Sequence, residues 1–212
     1  MVRFYEDYWH GPSPSPTTDS DAPARKRLLW ELVESKGSFL DCGCGAGDLV
    51  AEAKQRGFER ATGFDIAPTV VARARSAHPN CEFIHHSVEE LPWPVSGFDV
   101  AVSFEVIEHL LRPRQLFQGV QMALRPGAHF CLTTPYHGLL KNVALALHGF
   151  DRLLDVEGPH VRFLIAPSLR RILTTEGLAV ATLAHYGRPV TLSPAPFICA
   201  RRLQAFHLGP PP

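Results

Sequence analysis

The sequence has no bias in charge, little cysteine and no long apolar run. Lys+Arg and Asp+Glu each total 21, and the pI is near 7.2. That balance lacks the basic footprint of a protein built to hold nucleic acid or an anionic membrane surface. No window approaches the ~18 apolar residues that a membrane span needs. The opening residues carry Glu6 and Asp7 and no apolar stretch of the signal-peptide kind. The five cysteines, Cys42, Cys44, Cys81, Cys131 and Cys199, are an odd number spread along the chain. Cys42-Gly43-Cys44 hints at zinc, but no second pair follows at a ligand spacing. The cysteines therefore read as buried reduced thiols, and the cytoplasm is the expected compartment.

What is present suffices for one core. The chain has 212 residues, 45% of them apolar, the size and content of one domain. Residues 11–23, "GPSPSPTTDSDAP", hold four prolines among Ser, Thr and Asp and read as a linker. Ahead of them "FYEDYWH" is an aromatic cluster too dense for a solvated tail, a segment suited to fold back as a lid. This division predicts an N-terminal segment and linker over 1–23, one domain over 24–204 and a frayed tail over 205–212.

Inside the domain, strands and helices alternate. "SFLDCG", "RATGFD", "CEFIHH", "FDVAVSF" and "AHFCLTTP" are short buried strands. "RKRLLWELVES", "DLVAEAKQRG", "PTVVARARSAH" and "PRQLFQGVQMAL" have helical spacing, with Gly57 as a C-cap and Pro68 and Pro113 at first turns. Later come a longer apolar helix over 139–155, a helix "APSLRRILTTEG", and two strands, "LAVATLAHY" and "PFICARR". This rhythm predicts an α/β fold of the Rossmann-like, doubly wound kind, a mostly parallel seven-stranded sheet with helices on both faces. The 139–155 helix is apolar enough to be a pocket wall, a dimer face or a lipid-facing patch; a pocket wall under the aromatic N-terminus is the preferred reading.

In such a sheet, ligands bind beyond the carboxyl ends of the strands at the switch in strand order. After the first strand comes "DCGCGAG", with Gly43, Gly45 and Gly47 at alternate positions. A dinucleotide fingerprint would need glycine at 48, where Asp48 stands. Asp41 adds a carboxylate that repels a diphosphate and attracts a ligand bearing a sulfonium and an ammonium. S-adenosylmethionine carries both cations and no phosphate. Asp65, closing the second strand in "GFD", is placed to accept two ribose hydroxyls. Ser87 and the Val88 backbone, in "HHSVEELPW", are hydrogen-bonding groups for an adenine.

Together "FLDCGCGAGDL", "GFD", "HHSVEELPWPVSGFDVAVSFEVIEHL" and "LRPGAHFCLTTP" resemble the class I S-adenosylmethionine-dependent methyltransferases, in particular the ubiquinone-type O-methyltransferases and their small-molecule relatives. The likeness runs from residue 38 to about 203. It implies Asp41, Gly43 and Gly45 around the methionine moiety, Asp65 with Ile66 at the ribose, Ser87 and Val88 at the adenine, and Phe104 lining the cofactor. Many relatives carry an aspartate where Ser87 stands, so a charge-assisted contact worth ~1 kcal/mol would be lost and cofactor binding is expected to be weak.

One motif keeps three readings. In "SFEVIEHLLRP", Glu105, Glu108 and His109 are spaced to share one face of a helix, with Glu105 at its N-terminus. The face could merely cap and brace the helix. His109 could act on the acceptor as a base or positioning group. Or Glu105, Glu108 and His109 could join His160 in holding a divalent metal ion, as the resemblance to small-RNA 3′-terminal 2′-O-methyltransferases suggests. His85 and His86, ending the third strand, read as structural or as adenine-side neighbours. The expected function is methyl transfer from S-adenosylmethionine to an oxygen or nitrogen of a small-molecule acceptor, with His109 and His160 as catalytic candidates, in a monomer or homodimer without a nucleic-acid partner. The alternatives are a non-catalytic adenosylmethionine-binding regulatory partner and a metal-assisted 2′-O-methyltransferase of an RNA end.

Overall fold

The computed structural model describes residues 21–34, 37–135, 161–162, 164–186 and 195–203, together with Glu6, Val143 and Leu147. Five parallel strands, β1 (Ser38–Cys42), β2 (Arg60–Asp65), β3 (Glu82–His85), β4 (Phe98–Phe104) and β5 (Leu124–Thr133), are joined by helices except between β3 and β4, where residues 86–97 form a loop. Two further strands, β6 (Leu178–Tyr186) and β7 (Ala195–Arg202), complete a seven-stranded sheet in the order β3-β2-β1-β4-β5-β7-β6. Only β7 runs antiparallel to its neighbours. The doubly wound sheet expected from the sequence is therefore present.

The strands read as near-continuous apolar runs because both faces are covered. Phe39, Val100, Val102, Cys131 and Phe197 point to one face. There they meet Leu29 and Val33 at the end of α1 (Ala22–Leu32), Val50 and Ala53 of α2 (Asp48–Gln55), and Val71 and Ala74 of α3 (Pro68–Ala77). Leu40, Ala101, Phe130, Leu132 and Ile198 point to the other. That face is covered by Leu116, Phe117 and Val120 of α4 (Pro113–Ala123) and by Leu169 and Leu173 of α5 (Ala166–Thr175).

Pro68 and Pro113 stand in the first turns of their helices. Gly57, at φ 97°, closes α2 with its N–H on the Lys54 carbonyl, and Phe58 N–H reaches Ala53. Two boundaries differ from expectation. Helix α1 begins at Ala22, inside the stretch read as linker, because Pro23 suits a first helical turn. Strand β5 begins at Leu124 rather than at Ala128, its exposed early residues following a register shift between Phe98 and Val100. The 139–155 helix lies outside the described residues except for Val143 and Leu147, which are helical and exposed. No helix among the described residues is long and apolar enough to cross a membrane.

Candidate functional site

Strand order reverses between β1 and β4, the place where a sheet of this kind offers a ligand crevice. The glycine loop follows β1 at that point. Gly43 and Cys44 both donate their N–H to the Phe64 carbonyl, at 2.9 and 3.0 Å. Gly43 has φ 88°, and a Cβ there would lie 2.5 Å from Val106 Cγ2. Both facts demand glycine. Asp65 fixes the far side of the loop: its Oδ2 accepts from Gly45 N–H at 3.0 Å and its Oδ1 from Ala67 N–H at 3.0 Å.

Two acids thus end adjacent strands. Asp41 is buried, and burial first, then the charge of Asp65, pushes its pKa up to about 7, against the pull of Arg25 and Lys26. Burial also raises Asp65, opposed by its backbone hydrogen bonds. Asp41 is therefore less of a fixed charge than its place in the sequence implies, being about half ionised at neutral pH. The crevice favours a cation and hydroxyl groups over a phosphate. These residues fit the amino group and ribose of S-adenosylmethionine.

The adenine-side residues are ordered by the loop itself. Ser87 Oγ accepts from Glu89 N–H at 3.2 Å, and the Val88 carbonyl accepts from Trp93 Nε1 at 3.3 Å. His85 Nε2 lies 3.0 Å from the Ile66 carbonyl and His86 Nε2 2.9 Å from that of Glu90, structural contacts in both cases. Glu6, from the aromatic N-terminal segment, accepts from Thr69 N–H at 3.0 Å and from the Thr69 hydroxyl. It thereby caps α3 beside the Asp65 turn. The rest of that segment lies outside the described residues.

The E-x-x-E-H segment departs from expectation. It is not an α-helix with one polar face. Glu105 has φ 54°, and only Ile107–His109 form a single 3₁₀ turn. The left-handed residue breaks the helical path before Glu108, so the two carboxylates go to different partners. Glu105 Oε1 accepts from the Tyr186 hydroxyl at 3.1 Å and lies 3.8 Å from Arg25 Nη1. Glu108 is buried and accepts from Thr134 Oγ1 at 3.0 Å. Burial, then Glu105, lifts its pKa well above the usual carboxylate range, which makes it a neutral acid at pH 7. His109 Nε2 stands 3.8 Å from Glu108 Oε1, too far for a hydrogen bond. Among the described residues no group of three or more His, Cys, Asp or Glu side chains is arranged to hold a metal. Glu105, Glu108 and His109 do not fit one, and His160 lies outside the described residues. Val161, the next residue, donates its N–H to the Glu108 carbonyl at 3.0 Å.

Comparison with known proteins decides the family. A family model described as a methyltransferase domain matches residues 20–183. The chain belongs to the class I S-adenosylmethionine-dependent methyltransferases. Over 144 residues, 66% of the chain, it is 35% identical to a "probable S-adenosylmethionine-dependent methyltransferase" of Mycolicibacterium smegmatis. It is 30% identical over 152 residues, 68% of the chain, to a ubiquinone biosynthesis O-methyltransferase of Methylobacterium sp. strain 4-46. The matches span 51% and 60% of those relatives' lengths. The fold matches the crystal structure of an S-adenosylmethionine-dependent methyltransferase from Mesorhizobium loti. That match has a TM-score of 0.67 and 22% identity, and covers 85% of this chain and 96% of that one.

Two residues of this candidate site carried no signal in the sequence. Arg25 reaches in from α1 over the Phe104 ring, 5.4 Å from its centroid, and Phe104 in turn packs on Phe197 at 5.9 Å. Tyr186 arrives from the end of β6. Arg25 lies in a segment legible only as an amphipathic helix, and Tyr186 closes an ordinary strand. Their meeting at Glu105 is a product of the sheet order.

Proposed function

We propose that the chain transfers a methyl group from S-adenosylmethionine to an oxygen or nitrogen of a small-molecule acceptor. The observation that carries this reading is the pair of carboxylates, buried Asp41 and half-buried Asp65, flanking a glycine loop whose main chain is tied to Asp65. The ubiquinone biosynthesis O-methyltransferase supports a small-molecule acceptor by its name. When bound, the cofactor supplies an activated methyl on a sulfonium. Asp41 and the Gly43–Gly45 main chain would hold its methionine portion, Asp65 and Ile66 its ribose, and Ser87 and Val88 its adenine. Phe104 would line it. Because the methyl is already reactive, the chain has mainly to align two reactants and exclude water.

A base is needed only for an acceptor that is protonated at working pH. His109 is the candidate, its imidazole taking the acceptor's proton. Neutral Glu108 beside it does not compete for that role. His160 is the second candidate, supported by the attachment of Val161 at Glu108. The five free cysteines suit a reducing cytoplasm, and a monomer or homodimer satisfies the reading. Calorimetry with S-adenosylhomocysteine, followed by a radiolabelled methyl-transfer screen over phenols, carboxylic acids and amines, tests it. Tight NADH binding with no response to S-adenosylhomocysteine would refute the cofactor. Replacement of both histidines with more than half of turnover retained would refute the base.

A further inference from the structure

Glu105 occupies a conformation that glycine would adopt with less strain. At φ 54° it is the one non-glycine residue with positive φ among the described residues, and a side chain there is disfavoured by contact with its own backbone. Such an outlier points to a role for the side chain. The carboxylate is 32% exposed, accepts from the Tyr186 hydroxyl and faces Arg25, itself only 12% exposed. The backbone makes a separate set of contacts. Glu105 N–H donates to the Thr133 carbonyl at 3.2 Å. The left-handed turn then sends Val106 onto Gly43, with the closeness already described. One residue thus joins α1, the end of β6 and the glycine loop after β1.

We propose that Glu105 is a positioning residue of the methyl-donor pocket, its carboxylate fixing Arg25 and Tyr186 at the rim while its turn seats Val106 on Gly43. This rests on the cofactor reading above. It also accounts for the lack of a metal arrangement among the described residues, because the first acid of the motif is already committed to a phenol and a guanidinium. The site is designed around a side chain at a point where backbone preference alone would choose none.

Glu105→Gly separates the two contributions, since glycine keeps the turn and removes the carboxylate. The melting temperature is expected to hold or to rise by ~2–4 °C as the strain is released. S-adenosylhomocysteine affinity by calorimetry should fall about tenfold or more, because Arg25 and Tyr186 lose the carboxylate that fixes them. Tyr186→Phe should weaken binding in the same direction. Glu105→Gln, which keeps an acceptor for the Tyr186 hydroxyl, should restore most of the affinity lost in Glu105→Gly. A Glu105→Gly protein that binds within twofold of wild type overturns the inference. So does one whose affinity loss is matched by a fall in melting temperature, the mark of a merely structural residue. Wild-type protein that fails to bind S-adenosylhomocysteine overturns the cofactor reading and this inference with it.

Discussion

If Asp41 holds the cofactor's amino group as proposed, cofactor binding becomes a function of pH. Its pKa of about 7 in the folded protein reflects burial and Asp65, partly offset by Arg25 and Lys26. A cationic ligand group prefers the carboxylate to the acid. Without ligand, the carboxylate fraction is roughly 10% at pH 6 and roughly 90% at pH 8. Affinity for S-adenosylhomocysteine, which keeps the ammonium, should therefore rise about tenfold across that interval, equivalent to ~1.4 kcal/mol. Binding near pH 7 should release about half a proton. Calorimetry at pH 6, 7 and 8 in buffers of different ionisation enthalpy measures both quantities. In Asp41→Asn the affinity should be flat over the same range and lie at or below the wild-type value at pH 6. A wild-type affinity constant within twofold from pH 6 to 8, with no proton released, would refute the reasoning.

The same shift fixes the sign of a stability effect. Asp41 has an ordinary value of 3.8 and a folded value of about 7, so the folded chain holds the proton more tightly. Its contribution is fully present below pH 4 and is lost as pH rises towards 7, amounting to ~4 kcal/mol. The ligand-free Asp41→Asn protein should match wild type in melting temperature near pH 4 and exceed it at pH 8. A variant that is more stable yet binds less well is the pattern expected of a residue strained for function.

Other substitutions read different parts of the same construction. Gly43→Ala places a Cβ against Val106 at positive φ, costing ~2–5 kcal/mol in combined backbone and overpacking terms. Its melting temperature should fall, and Val106→Ala in the same chain should restore only the steric share. Asp65→Asn sets an amide N–H against one of two backbone N–H donors, a loss of ~1–3 kcal/mol that should appear as ~10–100-fold weaker S-adenosylhomocysteine binding. Gly119→Ala drives a methyl to 2.1 Å from the Trp93 ring. It should lower the melting temperature and alter tryptophan fluorescence as Trp93 leaves the Val88 carbonyl. Exhaustive chelation should leave S-adenosylhomocysteine affinity and methyl transfer within twofold, since Glu105 and Glu108 are already engaged; loss of either restored by a divalent cation would refute that.

The architecture was legible because its signals are local and mutually consistent. β2 and β4 occupy the residues that their apolar runs mark out, and Pro68, Pro113 and Gly57 act at the helix ends where their backbone chemistry places them. The glycine turn between the ends of β1 and β2 was equally legible as local structure. Asp41, Gly43 and Asp65 speak through residue type and spacing at strand ends, where a parallel sheet leaves few alternatives. Arg25 and Tyr186 did not, because their significance lies in a contact across 161 residues of chain. The order β5-β7-β6 makes that contact, and no spacing encodes it.

The E-x-x-E-H segment shows a different kind of limit. Residues at i, i+3 and i+4 share a face only if every intervening backbone torsion is helical, and Glu105 is not. Its conformation is imposed from outside the segment. The N–H is taken by Thr133 on the neighbouring strand, the carboxylate by Tyr186, and the following Val106 fits the gap left by the absent side chain of Gly43. Helical periodicity was therefore overridden by three contacts, each from a different element of the sheet's carboxyl edge. Arg25 is common to both raised acids: it draws Asp41 and Glu108 down against the burial that lifts them. A positively charged methyl donor beside Asp41 would add to that pull.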